Sequence, residues 1–212
     1  MTNDLRKIPN FTSEFSDKHH ERTKYMKTII KLIYSTFTVV SLAMSAATAI
    51  ADPGDIFVGD YGTGTIYKFT SDGTLSIFAT GLSGPDGLAF DNAGNLFEAE
   101  FDANTIKKFA PDGTPSIFVD TGLNHPAGLA FDNAGNLFEA DYGSGTIYKF
   151  APDGTPSTFA TGLNGPYGLA FDSAGNLFVA DYNANTIYKF TPDGTQSIFV
   201  ATGLQSPCRI VF

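Results

Sequence analysis

The 212-residue sequence contains one cysteine, Cys208, and no tryptophan. A lone thiol forms no internal disulfide, so any export of this chain does not rely on disulfide staples. Histidine is almost as scarce, with only His19, His20 and His125. That leaves no His/Cys cluster at metal-ligand spacing, and no Gly-rich phosphate loop or nucleophile–base pair is present either. Gly62-Thr63-Gly64 reads as a hairpin turn, because no helix follows it. Basic residues become rare after the first quarter of the chain. Residues 1–51 hold seven Lys/Arg against four Asp/Glu, a net +3, whereas residues 52–212 hold six against eighteen, a net −12. A body that acidic repels phosphate backbones, which excludes nucleic acid as a natural partner. Cations, cationic ligands and neutral glycans fit it better.

From Met26 the chain reads Met-Lys-Thr-Ile-Ile-Lys, followed by an uncharged stretch over 32–51 that ends in Ala49-Ile50-Ala51. A charged start, a short apolar centre and a small-residue exit are the three parts of a secretory signal. The expectation is a signal peptide over 26–51 with cleavage near Ala51, which makes the protein extracytoplasmic, secreted or periplasmic, with no stable membrane span after cleavage. An uncleaved anchor is the alternative, since twenty or so uncharged residues span a bilayer. Residues 1–25 are polar and without periodicity, and read as an extension, or as sequence upstream of a natural start at Met26.

Residues 52–212 are dominated by internal repetition. Gly-Leu-Ala-Phe-Asp begins at Gly87, Gly128 and Gly168, and Asp-Gly recurs at Asp72, Asp112, Asp153 and Asp193, spaced by 40, 41 and 40 residues. Within one unit four strand signals stand out: Leu88–Phe90, Asn95–Ala99, Thr105–Phe109 and Ser116–Val119, each rich in β-branched or aromatic residues and bounded by turn formers. Pro111-Asp112-Gly113 suits a type I turn, and Asp91-Asn92-Ala93-Gly94-Asn95 a second turn. Four short antiparallel strands per 40 residues make one propeller blade. The fold expected is therefore all-β, a β-propeller of four-stranded antiparallel blades. Arg209-Ile210-Val211-Phe212 aligns with Gly168-Leu169-Ala170-Phe171, the innermost strand of a blade, while Asp55-Ile56-Phe57 aligns with the start of a second strand. This offset predicts that the C-terminal strand closes the first blade.

The unit Gly-Pro-x-Gly-Leu-Ala-Phe-Asp-x-Ala-Gly-Asn-Leu-Phe-x-Ala-Asp, followed by Asn-Thr-Ile-Tyr-Lys-Phe-x-Pro-Asp-Gly, resembles NHL-repeat propellers over about residues 54–212. It is also similar to the wider group of six-bladed propellers that includes SMP-30-like and gluconolactonase-like enzymes and the virginiamycin B lyase type. The resemblance implies six blades where this chain has four repeats. Either the ring closes at four, or two chains share a larger ring as a homodimer, or the gene is truncated. For the gluconolactonase-like enzymes it also implies a divalent metal on an inward Glu, Asn and Asp, and for the lyase type a His paired with a Glu. His125 is the one histidine in the repeats.

Comparing the four units with one another separates constant from variable positions. The Asp-x-Ala-Gly-Asn and Asp-Gly-Thr turns scarcely vary. The loop before the inner strand does, with Asp86, Ala127, Tyr167 and Cys208 at one position, and so does the loop between the second and third strands. Both variable loops belong to one face, which is the expected binding surface for a protein, glycan or small-molecule ligand, with Asp86, His125, Tyr167 and Glu139 as candidate contacts. Asp60, Glu100, Asp141 and Asp181 each close a second strand. As a ring they are candidate oxygen ligands for a divalent cation such as Ca, and as strand-end residues they accept loop N–H bonds instead. Glu98 and Glu139 replace Val58 and Val179 in the middle of the second strand. Glu98 is expected to pair with Lys107, whereas Glu139 faces Tyr148 uncompensated. Cys208 is expected in a buried strand. The primary expectation is an exported, non-catalytic propeller that binds on its variable-loop face, and the alternative is a divalent-metal lactonase or hydrolase of the gluconolactonase type.

Overall fold

A computed structural model describes residues 54–212, so the proposed signal peptide and N-terminal extension lie outside the described residues. Fifteen strands form four antiparallel sheets with no helix among the described residues. The first blade has three strands, β1 (Ile56–Asp60), β2 (Thr65–Phe69) and β3 (Leu75–Thr80). The second has four, β4 (Pro85–Phe90), β5 (Leu96–Glu100), β6 (Thr105–Phe109) and β7 (Pro115–Val119). The third, β8 (Pro126–Phe131) to β11 (Pro156–Ala160), and the fourth, β12 (Pro166–Phe171) to β15 (Gln196–Val200), repeat that pattern, with β9 over Leu137–Asp141, β10 over Thr146–Phe150, β13 over Leu177–Asp181 and β14 over Thr186–Phe190. The architecture is that of a β-propeller. Each inner strand begins three residues earlier than the apolar signal suggests, because the preceding Pro-x-Gly pairs with the acid at the end of the second strand, as Pro85 does with Glu100.

Strand alternation sends each second strand's side chains into two different interblade spaces. Leu137 joins Phe97, Ala99 and Ile106 of the second blade, while Phe138 and Ala140 pack toward Leu177 and Val179 of the fourth. One phenylalanine motif recurs at every junction. Phe97 meets Phe118 of its own blade edge-on at 5.0 Å and Phe131 of the next blade at 5.1 Å. Phe57, Phe138 and Phe178 make the equivalent pairs. Lys68, Lys108, Lys149 and Lys189 carry their ammonium groups 5.2–5.7 Å from the centres of those same four rings. The constant lysine of the third strand is thus a cation–π lid over an aromatic core. Close packing also sets the glycine in each inner strand. A Cβ on Gly87 would lie 2.0 Å from the Ala127 carbonyl oxygen, and one on Gly128 2.0 Å from that of Tyr167.

The expected closure of the first blade is not seen among the described residues. Residues 201–212 form no strand, and β1 is hydrogen-bonded to β2 alone. The C-terminal segment instead continues the same blade-to-blade step, with Phe212 against Phe178 at 4.9 Å and the Cys208 carbonyl beside Gly168. Cys208, expected in a buried strand, is consequently exposed and outside any ladder.

Replacing Phe97 by Ala removes both ring contacts at one junction and is expected to cost about 3–5 kcal/mol. Phe199→Ala, at a ring that is largely in water, is expected to cost under about 1.5 kcal/mol. Urea unfolding of both variants checks this, and equal losses would show that the interblade rings do not hold the blades together.

Candidate functional site

The loops between second and third strands each open on an aromatic residue: Tyr61, Phe101, Tyr142 and Tyr182. Their rings run from blade to blade, with centroids 6.2 Å apart for Tyr61 and Phe101, 5.8 Å for Phe101 and Tyr142, and 6.4 Å for Tyr142 and Tyr182. Tyr167, from the start of the inner strand β12, stands within 6.0–6.5 Å of Phe101, Tyr142 and Tyr182. The His125 ring lies 4.7 Å from that of Phe101. Six rings from four blades therefore make one contiguous aromatic surface on the variable-loop face, and all six are at least partly accessible.

This surface is tied down by polar contacts. The Tyr61 hydroxyl donates to Asp102 Oδ1 at 2.8 Å, and the Asn183 amide to the Tyr142 hydroxyl at 3.3 Å. The His125 N–H donates to Asn104 Oδ1 at 2.7 Å, with both residues in the left-handed region at φ 57° and 58°. The Tyr167 hydroxyl donates to Asp86 Oδ2, linking inner strands two blades apart. Arg209 Nη2 donates to the other Asp86 oxygen at 2.5 Å. Burial, and after it the bond to Asp86, pushes the Tyr167 phenol well up, so it stays a protonated donor at any physiological pH. The Tyr61 phenol is raised too, chiefly by its bond to Asp102. Of the expected contacts, the structure brings Asp86, His125 and Tyr167 to this surface, whereas Glu139 is elsewhere.

Glu139 is fully buried between the second and third blades, and Glu98 between the first and second. Among the described residues neither carboxyl oxygen of Glu98 or Glu139 has a hydrogen-bond partner. Glu98 does sit opposite Lys107 in the ladder, as the hairpin register predicts. The expected ion pair is nevertheless not made: Lys107 Nζ reaches past Glu98 to Glu100 Oε1 at 2.8 Å, beside the loops. Burial pushes the Glu98 carboxyl up to about 8, with Glu100 adding to the rise and Lys107 opposing it. Burial likewise holds Glu139 well above the usual carboxylate range, with Asp141 adding to it.

The four strand-end acids stay in their own blades. Asp141 accepts the Asn124 N–H at 2.6 Å and the Ser144 N–H at 2.9 Å, and Asp181 accepts those of Asn164 and Ala184. Glu100 accepts from the Ser83 N–H, the Thr105 hydroxyl and Lys107, and Asp60 from the Thr63 N–H. Burial would raise Glu100, but those donors outweigh it and hold the carboxyl below its ordinary value. Among the described residues no three His, Cys, Asp or Glu side chains come together as a cation site. The donor set that the gluconolactonase resemblance implies is therefore not assembled by Asp60, Glu100, Asp141 and Asp181: the last three stitch the two variable loops of their blades together, and Asp60 holds the loop after β1.

No protein-family model matches this sequence, and no curated protein matches it. Similarity appears among solved structures. A streptogramin B lyase superposes with a TM-score of 0.66 at 21% identity, over 76% of this chain and 56% of that one. The nidogen structure from a nidogen/laminin complex gives 0.65 at 24% identity, over 73% and 64%. A gluconolactonase-type protein gives 0.57 at 21% identity, over 68% and 62%. The chain spans less than two thirds of the length of each. The shared feature is the fold, and the resemblance to NHL-like and gluconolactonase-like propellers holds at that level. The three neighbours include a lyase and a protein from a protein–protein complex, so the fold does not select an activity.

Glu98 and Glu139 give the pH dependence a definite sign. An acid whose folded-state pKa is raised favours folding below its unfolded value near 4.5 and loses that contribution as pH climbs toward the folded value, about 8 for Glu98. The double variant Glu98→Val/Glu139→Val, which restores the residue of the other two blades, is expected to raise stability at pH 8 by about 1–3 kcal/mol per site. It is also expected to flatten the slope between pH 4.5 and 8. Thermal melts at pH 4.5 and pH 8 read both, and an unchanged slope would show that the two carboxyls are not buried.

Proposed function

We propose that this protein is an exported, non-catalytic propeller that binds a ligand on its variable-loop face through the aromatic surface described above. The observation that carries this reading is the placement of six accessible rings, from four different blades, around the Asp86–Tyr167 link. Large amphipathic rings on stiff supports recur at binding interfaces because they bury much area at small entropic cost. Rigid inner strands and the N–H bonds to Glu100, Asp141 and Asp181 preorganise the loops that carry them. The strongly acidic body, with Asp86 and Asp102 among the rings, favours neutral or cationic partners, so the ligand classes are a glycan, a cationic small molecule or a protein with a basic patch. The metal-hydrolase reading has less support, since Glu139 is enclosed between blades rather than presented to a substrate.

The test uses the absence of tryptophan, because tyrosine emission then reports directly on the ring cluster. A panel of neutral oligosaccharides and quaternary ammonium compounds is titrated into the exported protein. Tyr142→Ala and Tyr182→Ala are each expected to weaken any binding at least tenfold, as central aromatic anchors do at about 2 kcal/mol. Glu139→Gln is expected to leave it unchanged. Binding that survives both tyrosine truncations at wild-type affinity would place the site off this face.

A further inference from the structure

The aromatic surface carries a cation of its own. Pro85, Pro126 and Pro166 are each followed two residues later by glycine, whereas Pro207 is followed by Arg209, the sole arginine among the described residues. Its Nη2 donates to Asp86 Oδ1 at 2.5 Å, and its Cζ lies 5.9 Å from the centre of the Tyr167 ring. The two halves of this ion pair sit in different surroundings: the Asp86 side chain is 5% exposed and that of Arg209 62%. One oxygen of the enclosed carboxylate takes the Tyr167 hydroxyl, and the other calls for a cation, because a buried charge without a partner is costly. Arg209 meets that need through one hydrogen bond to one oxygen, not through the two-pronged pairing in which guanidinium and carboxylate are strongest. A pair held from so wet a side chain is weak. The other basic residues of the repeats are engaged elsewhere, Lys68, Lys108, Lys149 and Lys189 over the interblade phenylalanines and Lys107 on Glu100.

We propose that Asp86 and the face of Tyr167 form a subsite for an alkylguanidinium group of the ligand, and that Arg209 fills it as an internal stand-in until the ligand displaces it. The inference rests on the variable-loop face being the binding surface, and it names the chemistry at the centre of that face. The carboxylate matches the charge, and the ring beside it attracts a guanidinium, which is more weakly hydrated than an ammonium. The hydroxyl bond from Tyr167 fixes the Asp86 carboxylate, so its second oxygen is aimed before a ligand arrives. Phe101, Tyr142 and Tyr182, whose rings stand 6.0–6.5 Å from that of Tyr167, then receive the apolar part of the ligand. One guanidinium leaves as another enters, so Asp86 is never a bare enclosed charge. Arg209, already mostly in water, gives up little on leaving. A tethered competitor of this kind acts at an effective concentration on the order of millimolar, and it weakens each cationic ligand by the fraction of time it spends in place. Arg209 thereby sets a threshold that weakly held cations do not pass.

The probes are butylguanidinium and an end-blocked tripeptide with arginine between two alanines, titrated against tyrosine emission, with isosteric butylurea as the neutral control. Arg209→Ala is expected to tighten both guanidinium probes about tenfold and to leave butylurea unchanged. Adding Asp86→Asn, which keeps an acceptor for the Tyr167 hydroxyl, is expected to weaken both again by about tenfold or more, the scale of a charge-assisted hydrogen bond. Whichever probe binds more tightly tells whether the group arrives on a peptide or as a free small molecule. A second measurement follows Arg209 itself. In protein labelled with heavy nitrogen at arginine, its Nε–H resonance, assigned by its loss in Arg209→Ala, is expected to move to the position of a solvated arginine as either probe saturates. A resonance that stays in place, or guanidinium binding no tighter in Arg209→Ala, overturns the subsite. If that happens while Tyr142→Ala and Tyr182→Ala still weaken binding, the aromatic surface stands without a guanidinium subsite. If those tyrosine variants bind as the wild type does, the face itself is misplaced and the subsite goes with it.

Discussion

The stacking of phenylalanine rings between consecutive blades is the interaction on which the rest of this structure depends. A single blade of four short strands has two faces to cover and no core of its own. Phe57, Phe97 and Phe138 meet this need the same way each time, touching the outer strand of their own blade and the end of the inner strand of the next, and Phe178 makes the matching contacts with Phe199 and with Phe212 of the C-terminal segment. Because each junction uses the same rings at nearly the same separations, the blade-to-blade step is constant. The inner strands are brought so close that only glycine fits at Gly87 and Gly128. The variable loops inherit their positions from that step, and so does the aromatic surface they form.

Much of this was legible in the residues because the code is local. The Asp-Gly and Asp-x-Ala-Gly-Asn turns name their own geometry. Asp132 Oδ1 accepts from the N–H of Ala134 and of Asn136, which no other residue type would do as well. The hairpin register that sets Glu98 opposite Lys107 also follows from turn length. Closure did not follow, for a physical reason. Whether residues 207–212 reach β1 depends on the angle between packed blades multiplied over the whole arc. That angle comes from ring packing and belongs to no single residue.

The site was legible in a more uneven way. Variation between repeats pointed to the two loops that carry the aromatic surface, and Asp86, Tyr167 and His125 converge on it. What it passed over was a constancy: the loop after each strand-end acid differs in length of side chain and charge, yet always opens on Tyr or Phe. Constancy inside a variable loop is a signal for contact, and here the contacts are the four rings. The partner of Lys107 could not be read from register, since Glu98 and Glu100 lie on the same face and a flexible lysine reaches both. The structure favours Glu100 because the strand end is wetter and supplies the Thr105 hydroxyl and the Ser83 N–H to the same carboxylate, so less of the charge is left uncompensated.

A scaffold of near-identical repeats would present four copies of one surface, which suits a symmetric ligand or none. At the centre of the arc the asymmetry enters at the residue after each loop proline, where Asp86, Ala127, Tyr167 and Cys208 follow one another. The close approach that demands glycine at the next residue also forces this side chain toward the centre of the arc, where residues from blades far apart in sequence can touch. Asp86 and Tyr167 are 81 positions apart and share a hydrogen bond. Changing this residue alters the chemistry at the centre while the interblade rings stay in place. Evolution of a ligand preference on this fold therefore needs few substitutions, concentrated at positions whose stability cost is small, and the uniformity of the remaining sequence is what keeps those changes affordable.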